Sequence, residues 1–204
     1  MTNRPIFITG IGTGIGKTLV SAILVEKLKA DYWKPIQSGD LHETDTMRVQ
    51  QLVTNNISTF HPEAYKLTQP FSPHKSAALD GITIEREKII LPQTENQLII
   101  EGAGGLMVPL ADDFLIIDLI KQLNAEVILV SQFYLGSINH TLLSIMALKQ
   151  YKIPIKGIIF NGDEDIDAKE FILKHSKVPF LGSIPILNKV NRNDIISSVK
   201  YIAL

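Results

Sequence analysis

The stretch Gly10-Ile11-Gly12-Thr13-Gly14-Ile15-Gly16-Lys17-Thr18 joins an apolar, β-branched run to a segment with helical spacing. Glycines let backbone N–H groups turn into one concavity, and a helix start adds its positive end, so this segment is built to hold phosphate. Lys17 is placed to reach β- and γ-phosphates, and the Thr18 hydroxyl to bind Mg²⁺. A strict G-x4-G-K-[ST] needs glycine at position 11, which is Ile; Gly10 lies one place earlier, so the loop is one residue longer. The dinucleotide pattern G-x-G-x-x-G fails in both frames, because Ile15 and Lys17 stand where its last glycine is required.

Triphosphate chemistry needs a divalent ion held by oxygen ligands. Glu101 ends the apolar run Leu98-Ile99-Ile100 and precedes Gly102-Ala103-Gly104-Gly105. A carboxylate at the C-terminal end of a parallel strand faces the ligand crevice, so Glu101 is read as a Mg²⁺ ligand and the glycines as bare backbone for close ligand approach. Asp45 begins a helix after a polar loop, and taken alone it reads as the N-cap. Lys34-Pro35-Ile36-Gln37-Ser38-Gly39 follows a second strand. There Lys34 either neutralises charge on a transferring phosphoryl group or is a solvated strand-end lysine. Leu135-Gly136-Ser137-Ile138-Asn139-His140 opens a helix, which can hold a carboxylate or be capped by Ser137. The five histidines show no metal-ligand spacing, and no Gly-x-Ser-x-Gly occurs.

The elements that must carry these residues alternate. Strand-like runs are Ile6–Thr9, Tyr32–Lys34, Leu98–Glu101, Glu126–Ser131, Ile155–Asn161 and Phe180–Ile184; helical spacing covers Lys17–Leu28, Asp45–Val53, Ile116–Leu123, Ile138–Lys149 and Ala168–Lys174. Runs such as Val127-Ile128-Leu129-Val130 are apolar without alternation, as in strands covered on both faces. The expectation is a single α/β domain over residues 1–204 with a mostly parallel central sheet and helices on both faces. Ser58–Gly81, with three of the ten prolines, reads as a long functional loop with one short helix. Asn191–Leu204 reads either as a surface helix or, the more ordinary case, as a segment packed onto the sheet.

The chain has 204 residues, 45% of them hydrophobic, so it can bury a full core. A net charge of −1 gives no electrostatic footprint for nucleic acid. Zero cysteines exclude disulfides, thiol catalysis and Cys-ligated metal. No apolar run approaches the ~18 residues that span a bilayer, and no signal peptide precedes Ile6, so a cytoplasmic protein is expected. A domain of this size has little room for two substrate sites.

Together these segments resemble the ATP-dependent dethiobiotin synthetases, over nearly the whole chain and in one order. The match is carried by Gly10–Thr18, Lys34–Gly39, Asp45, Ser72-Pro73-His74, Glu101–Gly105 with Pro109, Leu135–His140, Asn161 and Gly182-Ser183-Ile184-Pro185. The resemblance implies ATP- and Mg²⁺-dependent closure of a cyclic urea from 7,8-diaminononanoate and CO₂. It implies that Thr13, Gly14, Ile15, Gly16, Lys17, Thr18 and Leu19 hold the nucleotide with Gly102, Ala103 and Gly104. Asn161 and Gly162, with backbone of Pro185, Ile186 and Leu187, would line the adenine. Thr18, Asp45 and Glu101 would surround Mg²⁺. Lys34 and Ser38 would contact the reacting carbamate, beside Gly104, Gly105 and Pro109. Leu135, Gly136, Ser137, Ile138 and Asn139 would hold the substrate carboxylate across a homodimer interface.

Four positions depart from the family's pattern. Gly12 and Gly14 stand where relatives can carry acids, Gly162 where an Asp can follow the Asn, and Tyr134 where a Lys can occur. A ParA/MinD-like switch ATPase is the rival, but such proteins carry a second lysine early in the loop, and Gly10–Gly16 has none. The guanine signature Asn-Lys-x-Asp is missing at Asn161.

Overall fold

The apolar run at the N-terminus becomes the middle of a sheet. In the computed structural model, which describes residues 4–187 and 189–204, β1 (Ile6–Gly10) is buried at every position. After it come α1 (Lys17–Leu28), β2 (Asp31–Trp33), β3 (Ile36–Ser38), α2 (Asp45–Leu52), β4 (Phe60–His61), β5 (Tyr65–Leu67) and α3 (Pro73–Leu79). The chain continues through β6 (Leu98–Gly105), β7 (Pro109–Ala111), β8 (Phe114–Leu115), α4 (Ile116–Gln122), β9 (Glu126–Ser131) and α5 (Ser137–Gln150). It ends with β10 (Ile155–Asn161), α6 (Ile166–Ser176), β11 (Phe180–Ile184) and α7 (Arg192–Ser198). Seven strands form the main sheet in the order β11-β10-β9-β1-β6-β2-β4, and every neighbouring pair is parallel.

Strand residues alternate between two apolar layers. Phe7, Ile100 and Val127 pack with Ile117 and Ile120 of α4, while Ile6, Ile8, Ile99 and Ile128 pack with Val20, Ile23 and Leu24 of α1. Each such side chain, fully buried, stabilises by ~1.5–3 kcal/mol over leaving it in water. This double burial explains the continuous apolar runs. Gly102 is part of the same packing: a Cβ there would lie 2.6 Å from Phe7 Cε1. The glycines after Glu101 therefore serve strand packing as well as an open crevice, and β6 runs on to Gly105, past the expected end at Glu101.

The expectation of a loop with one short helix over Ser58–Gly81 is corrected. Ser58–Gly81 holds strands β4 and β5 besides the short helix α3, whose first turn is set by Pro73 after Ser72. Strands of two and three residues carry too little periodicity to be seen; Tyr65-Lys66-Leu67 shows only one buried–exposed–buried alternation. The hairpin β7–β8 was not expected either. At the C-terminus, Asn191 and Asp194 form a capping box for α7, Ile195 is buried, and Ile202 bridges to Gly182. That segment is both helical and packed onto the sheet edge.

Candidate active site

Parallel strands place their C-terminal ends on one edge, and the chemistry-bearing residues gather there. β2 pairs with β6 so that Tyr32 lies opposite Ile99 and Trp33 opposite Ile100. Side chains alternate along a strand, so Tyr32, Lys34, Ile99 and Glu101 share the face toward α1. Thr18, second residue of α1, meets them: its Oγ1 donates to Glu101 Oε1 at 2.8 Å and to Asp45 Oδ1 at 3.3 Å. Lys34 Nζ lies 2.5 Å from Asp45 Oδ2 and 3.3 Å from Glu101 Oε1. The N-cap of α2 is Thr44, whose side chain accepts from Met47 N. Asp45 is thus not the cap, and its carboxylate is free to join the site.

Burial alone would lower the Lys34 ammonium, but the Glu101 and Asp45 carboxylates outweigh it and hold its pKa above the usual value. Burial alone would raise the Asp45 carboxyl; the charge and hydrogen bond of Lys34, with the Thr18 hydroxyl, hold it below its usual range. Lys34 is therefore a fixed cation locked between two acids, not a solvated strand-end lysine.

A cavity of about 680 Å³ opens over this cluster. Thr13, Gly14, Gly16, Lys17, Thr18, Lys34, Ser38, Asp45, Glu101, Gly102, Ala103 and Gly104 all line it. Ser38 Oγ is buried and lacks a hydrogen-bond partner among the described residues, so it is left for a ligand to satisfy. The sequence reading missed three residues here. Gln37 accepts from Asp45 N at 3.3 Å and donates to Gly39 O at 2.9 Å, and Arg48 lines the cavity one helical turn after Asp45. The Tyr32 hydroxyl donates to Glu101 Oε2 at 2.9 Å. Alternation with Lys34 was the one sequence signal for Tyr32.

The phosphate loop has the backbone its glycines predict, with Gly14 at φ 74° and Gly16 at φ 92°, both left-handed. Ile15 is turned inward, and its carbonyl accepts from Asn161 Nδ2 at 3.0 Å, tying the loop to the end of β10. Lys17 folds over the loop and donates to Gly12 O at 2.9 Å. Burial lowers its pKa to about 8, against the opposing pull of Glu101. An anionic phosphate would restore the proton, so nucleotide binding should take up a proton above that pH. The expected sign is tightest binding below pH 8 and a Kd that rises above it, approaching about tenfold per pH unit. Titrating ADP across pH 7 to 9.5 by calorimetry in buffers of different ionisation enthalpy checks this. A flat profile would exclude it, and Lys17→Ala should lose the slope.

Other expected residues, Asn161 among them, do not line this cavity within one chain. Leu19, in the first turn of α1, packs against the core. Pro185 and Ile186 are exposed and Leu187 half-buried just beyond β11, while Gly162 N donates to Ile184 O at 2.9 Å. Pro109 lies on β7 and lines neither large cavity. Gly105 lines a second, more apolar cavity of about 800 Å³. Leu135–Asn139 line neither, and Leu135 is fully exposed. The N-cap of α5 is Gly136 at φ 101°, with no side-chain cap, so Ser137 does not cap the helix.

The donor set fits a divalent ion. Two carboxylates and a hydroxyl converge as hard oxygen ligands, and among the described residues no group of three His, Cys, Asp or Glu forms a closed protein cage. That open set suits Mg²⁺, which keeps waters and phosphate oxygens in its shell.

Parallel sheet, loop and strand-end acids define a P-loop NTPase, and the family described as an AAA domain matches residues 4–194. MinD from Pyrococcus horikoshii, solved with Mg-ADP, superposes with a TM-score of 0.61 at 19% identity over 96% of this chain and 86% of that one. MinD from Pyrococcus furiosus gives 0.61 at 16%, over 97% and 89%. Those likenesses show the fold alone. The ATP-dependent dethiobiotin synthetase of Christiangramia forsetii is 56% identical over 87% of this chain and 86% of its own length. That of Rhodopseudomonas palustris strain BisB18 is 44% identical over 98% and 95%. The chain belongs to the ATP-dependent dethiobiotin synthetase family. The switch-ATPase alternative therefore has only the shared fold behind it.

Proposed function

We propose that this chain catalyses ATP-dependent ring closure of 7,8-diaminononanoate with CO₂ to dethiobiotin, releasing ADP and phosphate, as a step in biotin synthesis. Family membership supports it, and the single observation that carries it is the convergence of Lys17, Lys34, Thr18, Asp45 and Glu101 on one cavity. One amine of the substrate takes up CO₂ as a carbamate. The carbamate oxygen attacks the γ-phosphorus and ADP leaves, giving a carbamic–phosphoric anhydride. The second amine attacks the carbonyl carbon, the C–O bond to phosphate breaks, and the cyclic urea forms with loss of a proton.

The chain's residues serve these steps as fixed charges and dipoles. Backbone N–H groups of Thr13–Thr18, with Lys17, hold the phosphate oxygens. Lys34 neutralises charge on the carbamate and the moving phosphoryl group. Ser38 Oγ meets the carbamate. Thr18, Asp45 and Glu101 would hold Mg²⁺, which screens the phosphate charge when bound. Asn161 and the backbone of Pro185–Leu187 line the adenine. Among the described residues no helix is long and apolar enough to cross a membrane, in keeping with work in the cytoplasm on soluble substrates.

The carboxylate end of the acceptor is taken by Gly136–Asn139 of a second copy. Two observations support that homodimer: Leu135–Asn139 line neither the phosphate cavity nor the apolar one of their own chain, and an apolar face stands beside the phosphate loop. Met107, Leu143 and Met146 on that face are each more than half exposed, too apolar a cluster to be left to water.

Purified protein with ATP, Mg²⁺, bicarbonate and the diamine should yield dethiobiotin by mass spectrometry, with one ADP per product. Nucleotide binding without product would refute the reading.

A further inference from the structure

Glu101 is nearly solvent-free, and its two oxygens are used differently. Oε1 faces the cavity cluster, accepting from Thr18 Oγ1 at 2.8 Å and Lys34 Nζ at 3.3 Å. Oε2 points the other way and has one partner among the described residues, the Tyr32 hydroxyl at 2.9 Å. Tyr32 sits opposite Ile99 on the neighbouring strand, so Glu101 is its diagonal neighbour, at a distance that only a long side chain spans. Its ring is wholly buried, packed in the core beside Val49 and Ile99 and tilted against Phe60 with centroids 6.3 Å apart. The ring therefore has no room to turn, and its hydroxyl is a fixed point.

We propose that Tyr32 is a positioning residue for the divalent ion: its hydroxyl pins Glu101 Oε2 and thereby presents Oε1 to the metal beside Thr18 and Asp45. This rests on the reading of those three residues as the Mg²⁺ site. A carboxylate ligand with one oxygen anchored outside the coordination sphere keeps a single orientation, and losing such an anchor typically costs 10- to 100-fold in metal affinity. Without the hydroxyl, Glu101 can rotate toward Lys34 and present neither oxygen consistently.

The test uses the full chain with ADP and Mn²⁺, an EPR-visible probe of the Mg²⁺ position. Tyr32→Phe, which deletes one oxygen and keeps the ring, should raise the Mn²⁺ Kd about tenfold while metal-free ADP affinity stays at the wild-type value. Glu101→Gln should raise the Mn²⁺ Kd as well, and adding Tyr32→Phe to it should cost nothing further, because the hydroxyl acts through Glu101. An unchanged Mn²⁺ Kd in Tyr32→Phe, with a raised one in Glu101→Gln, overturns the role of Tyr32 alone. An unchanged Kd in Glu101→Gln overturns the metal reading beneath it. If Tyr32→Phe loses metal-free ADP binding too, the hydroxyl serves the fold and the proposal fails.

Discussion

Lys34→Ala is expected to lower turnover by roughly 10²–10³ while ATP still binds. The ammonium is not part of the phosphate loop: it reaches the site from the end of β2 and is held by Asp45 and Glu101 at 2.5 and 3.3 Å. It therefore contributes a positive charge that is oriented before substrate arrives, which is the condition under which electrostatic stabilisation is large. The same substitution leaves two acids without their shared cation, and breaking a buried pair costs up to about 3–5 kcal/mol. Asp45 retains some exposure, so the loss should fall at the low end, and a divalent ion should recover part of it. Steady-state kinetics, ATP affinity and thermal unfolding with and without Mg²⁺-ADP separate the two effects. Turnover near wild type would remove Lys34 from the chemistry.

A variant with Leu143→Asp and Met146→Asp is expected to be monomeric and to lose diamine-dependent turnover by about 10² or more, since a substrate held at one end only is misplaced at the other. Both side chains lie on α5 in the wall of the apolar cavity beside Gly10–Thr13, and neither touches the phosphate cavity. Two carboxylates there make burial against a second copy costly without disturbing the core. Light scattering at assay concentration gives the oligomeric state, and ADP affinity shows that the nucleotide half survives. A monomer with full activity would refute the shared acceptor site. If the dimer is as proposed, the difficulty of fitting two substrates into 204 residues disappears, because the acceptor site borrows a wall from its partner.

The residues on the page show unequal legibility. Lys17, Thr18 and Glu101 could be placed because each stands at the end of an element with a strong period, where chain direction alone fixes the edge. Asp45 could not be separated from a helix cap, because an acid in a first turn serves either purpose; the cap turned out to be Thr44. Tyr32 was read as strand and nothing more, since its partner is 69 positions away. The strands within Ser58–Gly81 were hidden because their pairing with β2 and β3 supplies the order their short sequences lack.

What the sequence determined by itself was local: a phosphate loop, strands buried on both faces, helices with one apolar side, and hence a parallel sheet with its ligands at one edge. These follow from near-neighbour periodicity and glycine sterics, which need no distant partner. What only the tertiary structure decided was how charges from four elements meet. Strand register set Tyr32 and Lys34 beside Glu101, and helix packing brought Thr18 and Asp45 to them. Most of these contacts join residues tens of positions apart, and their distances depend on register and packing that no short window of sequence contains.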